Sequence, residues 1–507
     1  MEAIVDGWVA RGLGLLATGF LIVIGGLAAF AVAAFIADAR QSRDAIRRNY
    51  PLIGRFRGLF IHLGDFFRQY FFALDREEMP FNRAEREWVG AAAAGMSDAQ
   101  PFGSTRNLTI VGTPIFVNCP FPRLEDDARE PPPIAFGPDT PNPYLAGSIF
   151  NVSGMSYGSL SAPAIRALSA GAARAGCWLN TGEGGLSDHH LSGGADIVFQ
   201  IGTAKYGVRG ADGRLDDEKL GELARRPDVK MIEIKLAQGA KPGKGGILPA
   251  EKVTEEIARV RGIPVGEASI SPNRHPEVDS VEDLLDFIDH VRSIAKLPTG
   301  IKTVMGAYGW VDDLCDAIER RGRHAAPDFI TLDGGDGGTG ASPMALMDNV
   351  GLPLRIALPT LTDILERRGL RNRVRIVASG KLVTPADVAW AMCAGADAVN
   401  CARGFMFSLG CIQAMRCHTN DCPSGVATHK ARLQRGLDPA LKAESVARYV
   451  ERVRKDVAVI AHSCGVAHAR ALGRKHVRIV QASGDATPLD VLSSQMALAR
   501  AHADAVS

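Results

Sequence analysis

A chain of 507 residues, 46% hydrophobic and 22% charged, is long and apolar enough to bury at least one large core, which excludes a disordered polypeptide. Its 58 basic residues nearly balance 56 acidic ones, and the globular part has no basic run with interleaved aromatics, so no nucleic-acid partner is expected. Nine cysteines at uneven spacing argue against a secreted disulfide framework and for thiols kept reduced for metals or packing.

The N-terminus departs from a soluble pattern. Residues 12 to 37, GLGLLATGFLIVIGGLAAFAVAAFIA, carry no charge and one polar side chain, Thr18, and are long enough to cross a bilayer. A cleaved signal peptide is the competing reading, but its apolar part would be shorter, and Glu2 and Asp6 give the flank the wrong sign. Arg40, Arg43, Arg47, Arg48, Arg55 and Arg57 follow the segment and only Arg11 precedes it. That bias predicts a single-pass anchor in an inner or plasma membrane, with everything downstream cytoplasmic. Residues 1–48 are thus read as anchor and basic flank. Residues 49–146 are read as a connector, in which Leu52, Phe56, Leu59, Phe60, Leu63, Phe67 and Phe71 recur at helical spacing. Such a helix suits either the headgroup region or the surface of its own protein.

From residue 147 one arrangement repeats: a short apolar run, a glycine-rich turn, then usually helical sequence. Strands are predicted at 147–155, 177–182, 196–202, 231–238, 300–305, 329–335, 375–380 and 398–404, which suggests a closed (β/α)8 TIM barrel over 147–480. An open doubly wound sheet is the alternative. SAPAIRALSAGAARAG opens with a Ser cap and a proline, and TPADVAWAMCAGA opens the same way with Thr, so each begins a helix. LSDHHLSGGA, after the second strand, is expected to be too short and glycine-rich for one. Residues 431 to 480 read as amphipathic helices and 481–507 as a partly ordered tail.

A barrel of this kind places functional residues at the C-terminal ends of its strands. The polar residues cluster there, in SGMSYGS, NTGEGG, KLAQGAKPGKGG, DGGDGGTGASP, ASGK and ARG. The loops after the seventh and eighth strands commonly hold a phosphate, which nominates Gly380, Lys381, Arg403 and Gly404. Directly after the eighth strand, CIQAMRCHTNDCPSG (411–425) sets Cys411, Cys417 and Cys422 in C-x5-C-x4-C spacing, a compact source of thiolates for an iron–sulfur cluster. Three thiolates suit a [3Fe-4S] centre. Cys401 as a fourth ligand would make it [4Fe-4S], zinc with His418 is a further reading, and plain structural cysteines are the bland one.

Together, SGMSYGSLS, NTGEGG, KLAQGAKPGKGG, DGGDGGTGASP and CIQAMRCHTNDCPSGVAT resemble, in the same order, the FMN-binding synthase domain of glutamate synthases, over residues from about 85 to about 470. The apolar N-terminus followed by RNYPLIGRFR and RQYFF resembles the membrane-anchored, stand-alone branch of that family. The resemblance implies FMN on the barrel, a [3Fe-4S] cluster on the three cysteines, and reduction of 2-iminoglutarate, formed from 2-oxoglutarate and ammonia, to L-glutamate. It implies that Lys241 clamps a substrate carboxylate, that Gln238 contacts flavin or substrate, and that Glu183 sits where ammonia arrives. Ser153, Met155 and Ser156 resemble the flavin-contacting turn, and Gly335 and Asp336 are expected to face cofactor or substrate. Lys302 is placed to stabilise negative charge on the flavin, unless a barrel carboxylate satisfies it.

The departures from that pattern also carry information. ASGKLVTPAD stands where long members of the family have a DGGLRTGRD-like run, and there is no nucleophilic N-terminal cysteine and no G-x-G-x-x-G strand–turn–helix for a nicotinamide domain. Ammonia is therefore expected from solution or a separate glutaminase subunit, and electrons from a ferredoxin-like protein or a membrane redox carrier. The competing functions are an oxidoreductase for a different amino or keto acid, such as an N-alkylglutamate synthase, and a membrane-tethered electron-transfer subunit.

Overall fold

The computed structural model describes residues 2–41, 45–67, 71, 75–97, 99–127, 129–307 and 309–493; Arg43 of the basic flank and the tail beyond 493 lie outside them. The chain divides into two compact units, Met1–Arg83 and Ala84–Ser507.

In the first unit the apolar run forms one helix, Glu2–Arg40, of which Arg11–Arg40 is long and apolar enough to cross a membrane, with mean hydropathy 2.7. Asp38 near its end accepts from Arg55 Nε at 2.7 Å and from Leu52 N at 3.2 Å, which ties it to the turn between helices Ala45–Asn49 and Ile53–Phe67. The predicted amphipathic segment is thus helical, and Phe56, Leu59 and Phe60 on it are exposed.

In the second unit eight parallel strands close into a barrel: β1 Phe150–Val152, β2 Leu179–Asn180, β3 Ile197–Ile201, β4 Val229–Lys235, β5 Thr299–Val304, β6 Phe329–Asp333, β7 Arg375–Ser379 and β8 Ala398–Cys401. Each pairs with its neighbours in chain order, and Val399 of β8 opposite Phe150 of β1 closes the ring, so the open-sheet alternative is excluded. All eight predicted strands are present. Their residues are buried almost throughout, the reason they read as unbroken apolar runs rather than alternating ones.

The cap signals also hold. Ser161 caps Ala162–Ala175 by accepting from Ala164 N, and Thr384 forms a capping box with Asp387 at the start of Pro385–Cys393. One expectation needs correction. The stretch after β2 does contain helix, a 3-10 turn Gly182–Gly184 and a single α-turn Asp188–Leu191, because Ser187 and the His190 ring cap the latter reciprocally.

An antiparallel hairpin, Ile134–Phe136 with Tyr144–Ala146, closes the N-terminal end. Phe136 packs edge-on against Trp178 and Phe329, each at 5.7 Å between ring centres, so that end is sealed by apolar side chains. Access is left to the opposite mouth. A small sheet of Pro114–Phe116, Val477–Val480 and Ala486–Pro488 joins the segment before the barrel to the one after it. The helix Pro439–Ser463 packs along Ala162–Ala175, where a Cβ on Gly171 would meet Val446 at 2.4 Å.

Candidate active site

The open mouth of the barrel holds a cleft lined by the strand-end turns the sequence singled out. Its centre is a network of acid, amide and amines. Glu183, from the turn after β2, accepts from Lys235 Nζ at 2.9 Å through Oε2, and its Oε1 lies 3.4 Å from Ser271 Oγ. Lys235, the last residue of β4, also donates to Gln238 Oε1 at 3.2 Å. Lys241, three residues on, donates to Ala341 O at 3.1 Å, which fastens the GAKPGKGG turn to the DGGTGAS turn after β6. A Cβ on Gly246 would lie 1.5 Å from Glu183 Oε1, so the glycine is what lets the carboxylate lie there.

Burial alone would raise the pKa of Glu183, but the nearby charges of Lys235, Lys241 and Arg261 outweigh it and hold this carboxyl below its ordinary value. It is a carboxylate at neutral pH. Lys241 moves the other way for a related reason: burial, then the like charge of Lys235, brings it down to about 8 against the pull of Glu183. The site therefore pairs a fixed anion with an amine able to exchange a proton near physiological pH.

Of the predicted site residues, Met155, Ser156, Glu183, Gln238, Lys241, Arg403 and Cys417 line this one cleft, although more than 250 residues of chain separate the first from the last. The others lie beside or beneath it. Ser153 is buried at the end of β1, its N–H on Cys401 O at 3.0 Å. Lys302, on β5, stands 3.5 Å from Asp333, so a barrel carboxylate does satisfy it, and that charge together with Glu233 overcomes burial to raise its pKa. Gly335 N donates to Leu352 O at 2.7 Å, Asp336 accepts from Leu354 N at 3.2 Å, and Gly380, at φ +131°, backs closely onto Gly334; Lys381 follows in the left-handed region.

The proposed phosphate pair after β8 has other engagements. The Arg403 guanidinium bonds Thr339 O and approaches Cys417 Sγ at 3.6 Å, while a Cβ on Gly404 would lie 2.0 Å from the Tyr449 hydroxyl. Gly404 is thus required by helix packing.

The cysteine loop is irregular. Gln413, Met415 and Asn420 all adopt left-handed backbone without being glycine, and the Asn420 amide ties the loop down by donating to Glu251 O at 3.0 Å and accepting from His429 N at 2.7 Å. All nine cysteines are free. Among the described residues no group of three or more His, Cys, Asp or Glu side chains converges as a site for a single metal ion. The three thiols are nonetheless close enough for Cys411 to feel the charges of Cys417 and Cys422. Burial raises its pKa, and the Gln413 N–H and Arg403 oppose that.

Sequence reasoning missed Lys235, Lys252, Arg261 and the inner carboxylate Glu233. Lys235 obeys the strand-end rule and opens KLAQGAKPGKGG, but the residues after it in that turn drew the role. Glu233 is 1% exposed, held by Asn180 at 2.8 Å, Gln200 at 2.6 Å and Thr331 at 2.5 Å. Nothing local marks such a partner set, since each member comes from a different strand.

Residues 123–467 match the family described as the conserved region in glutamate synthase. The chain belongs to the glutamate synthase family. A glutamate synthase large subunit-like protein, YerD, of Bacillus subtilis (strain 168) is 38% identical over 500 residues, covering 91% of this chain and 94% of that protein. An archaeal-type glutamate synthase (NADPH) of Dehalococcoides mccartyi is 35% identical over 292 residues, 58% of this chain but only 55% of its own length. Among solved structures, a flavocytochrome b2 mutant with pyruvate bound is similar at 14% identity and a TM-score of 0.47, over 85% of this chain and 87% of that one. A likeness that distant carries no weight for the reaction.

Proposed function

We propose that this chain is a membrane-tethered, FMN- and iron–sulfur-dependent oxidoreductase that forms L-glutamate from 2-oxoglutarate and ammonia by way of 2-iminoglutarate. The observation that carries the reading is the meeting of Glu183, Lys235, Gln238 and Lys241 with Cys417 in one cleft. A chain that merely relayed electrons has no use for a carboxylate and two amines at its mouth. The cleft is concave and lined by a few convergent polar groups, as ligand sites are, and the turn at Met155 and Ser156 on its wall suits a planar cofactor.

The donor set at 411–422 is soft, as iron–sulfur centres require. A cluster takes one thiolate per iron, so its ligands stand farther apart than those of a single ion, in keeping with thiols that sense one another without converging. Cys401 is engaged by the Tyr449 hydroxyl at 3.9 Å, which favours three ligands and the [3Fe-4S] form. When bound, FMN supplies hydride to the imine carbon and the cluster supplies single electrons to the flavin.

The residues do the rest. Lys241 pairs with a carboxylate of 2-oxoglutarate and, with its pKa near 8, returns a proton to the leaving hydroxyl as the imine forms. Glu183, held anionic by Lys235, retains ammonium, and the proton that frees the amine goes to Lys241, the group whose pKa lies near 8. Gln238 orients both through Lys235. The helix Arg11–Arg40, with the arginines that follow it, anchors the barrel on the cytoplasmic face of an inner or plasma membrane. A ferredoxin-like protein or a membrane redox carrier serves as electron donor, and a separate glutaminase subunit or free ammonia as nitrogen source.

The test uses the full chain in detergent, reduced without oxygen. Reoxidation of its flavin by 2-oxoglutarate plus ammonium, with glutamate formed in step, supports the assignment. Reoxidation only with an alkylamine in place of ammonium moves it to an N-alkylglutamate synthase. A flavin that stays reduced in every case refutes both.

A further inference from the structure

Lys252 stands between the cleft and the cysteine loop, in a stretch, LPAEKV, that carries no motif. It is 1% exposed, and its ammonium donates to Ser159 O at 2.9 Å, Cys417 O at 3.2 Å and Ala427 O at 3.1 Å. Those are all three donors of a lysine, spent on carbonyls from three separate segments. Carbonyls satisfy hydrogen bonding but do not cancel a charge.

Two other buried lysines have a carboxylate: Lys205 lies 3.0 Å from Glu277 and Lys302 lies 3.5 Å from Asp333. Among the described residues no carboxylate stands within ion-pair distance of Lys252. A buried cation without a counter-charge is costly, so the arrangement calls for an anion that the acidic side chains do not provide. Cys417 and Cys422 are the groups able to act on this ammonium with negative charge, and Arg261 opposes them with a like charge. The Cys417 carbonyl itself lies 3.2 Å from the ammonium, and a bound cluster would hold both cysteines as thiolates.

We propose that Lys252 is the counter-charge of the thiolate loop: a positioning residue that fixes the Cys417 backbone at the cleft wall and whose ammonium offsets the charge of Cys417 and Cys422. The inference rests on reading 411–422 as an iron–sulfur loop. A cluster bound there has a higher reduction potential than the thiolates alone would set, because a fixed cation disfavours loss of the electron. Arg403, 3.6 Å from Cys417 Sγ, acts in the same direction. Both cations line the cleft, so the potential is raised on the side from which an electron would leave for the flavin site.

The test compares the full chain with Lys252→Gln, which keeps donors but no charge, and Lys252→Arg, which keeps the charge. Iron and sulfide content and an EPR-monitored potentiometric titration are the readouts. The midpoint is expected to shift to lower potential in Lys252→Gln and to return toward the parent value in Lys252→Arg. A cluster with the same midpoint in all three chains makes Lys252 a structural strut and overturns the proposal. Alkylation by iodoacetamide of the metal-free chains, checked for intact circular dichroism, reads the same charge if Lys252→Gln loses its cluster. Cys417 and Cys422 are expected to react several-fold faster in the parent than in Lys252→Gln, with Cys119 unchanged, and equal rates would sink the idea. A parent chain without iron and sulfide defeats the iron–sulfur reading instead, and the alkylation rates then judge Lys252 alone.

Discussion

Lys241 and Lys302 are both buried lysines near the barrel mouth, and they differ in what they face. Lys302 lies beside Asp333, with Glu233 also near, and its pKa rises despite full burial. Lys241 has a carbonyl for a hydrogen-bond partner and Lys235 for a charged neighbour, and its pKa falls to about 8. Burial is common to the two; the partner decides the sign. One lysine is a fixed charge built into the strands, and the other is an amine poised to bind an anion and exchange a proton.

Exchanging each for methionine should separate them. Lys241→Met is expected to lower kcat/KM for 2-oxoglutarate by roughly 10²–10⁴-fold without lowering the denaturant midpoint below that of the parent, because it removes an acid–base group at the cleft whose buried charge costs stability. Lys302→Met strands Asp333 without its cation and is expected to cost about 3–5 kcal/mol of stability, with Lys302→Met/Asp333→Leu recovering most of it. Urea unfolding and steady-state kinetics on the same preparations decide. Loss of stability in Lys241→Met, or a stable and inactive Lys302→Met, would exchange the roles.

Glu183→Gln carries the comparison to the anion. It keeps the size and a hydrogen bond to Lys235 but loses the charge that offsets both amines. Glutamate formation is expected to fall about 100-fold, mostly as a rise in the ammonium KM, since a neutral amide does not retain a cation. An unchanged ammonium KM would remove Glu183 from the nitrogen site. A smaller effect belongs to Gly404→Ala, whose methyl group runs into the Tyr449 hydroxyl and should cost roughly 1–3 kcal/mol. If FMN affinity falls by more than tenfold as well, Gly404 serves the phosphate after all.

What was legible beforehand follows the same division. Strand runs, helix caps and glycine-rich strand ends are local, so the barrel, its functional face and the Glu183 and Lys241 turns were all visible in sequence. In GAKPGKGG the structure adds a reason for the last glycine, since Gly246 yields space to a carboxylate that arrives from another strand. Partners were not visible. Asp333 for Lys302, Lys235 for Glu183 and the carbonyls around Lys252 join residues 31 to 175 positions apart, and no spacing rule reaches that far. The phosphate candidates came from a fold-wide habit, and nothing local announced that Gly404 also yields space to the Tyr449 hydroxyl.

The last effect is pH. Lys241 has a folded pKa of about 8 against an ordinary 10.5, so between these values the unfolded chain binds more protons than the folded one. The charged amine therefore costs stability below about pH 8, and the cost is relieved as pH rises from 8 toward 10.5, at no more than about 1.4 kcal/mol per pH unit. Lys302 has the opposite sign: its raised pKa gives stability that is present below 10.5 and lost as pH passes through its folded value. Urea midpoints at pH 7, 8, 9 and 10 for the parent and Lys241→Met should start with the variant the more stable and converge as pH rises. Over the same range the 2-oxoglutarate KM of the parent should climb toward tenfold per unit above pH 8, as the clamp loses its proton. Midpoint curves that stay parallel while KM rises would mean that the group titrating at the cleft is not Lys241.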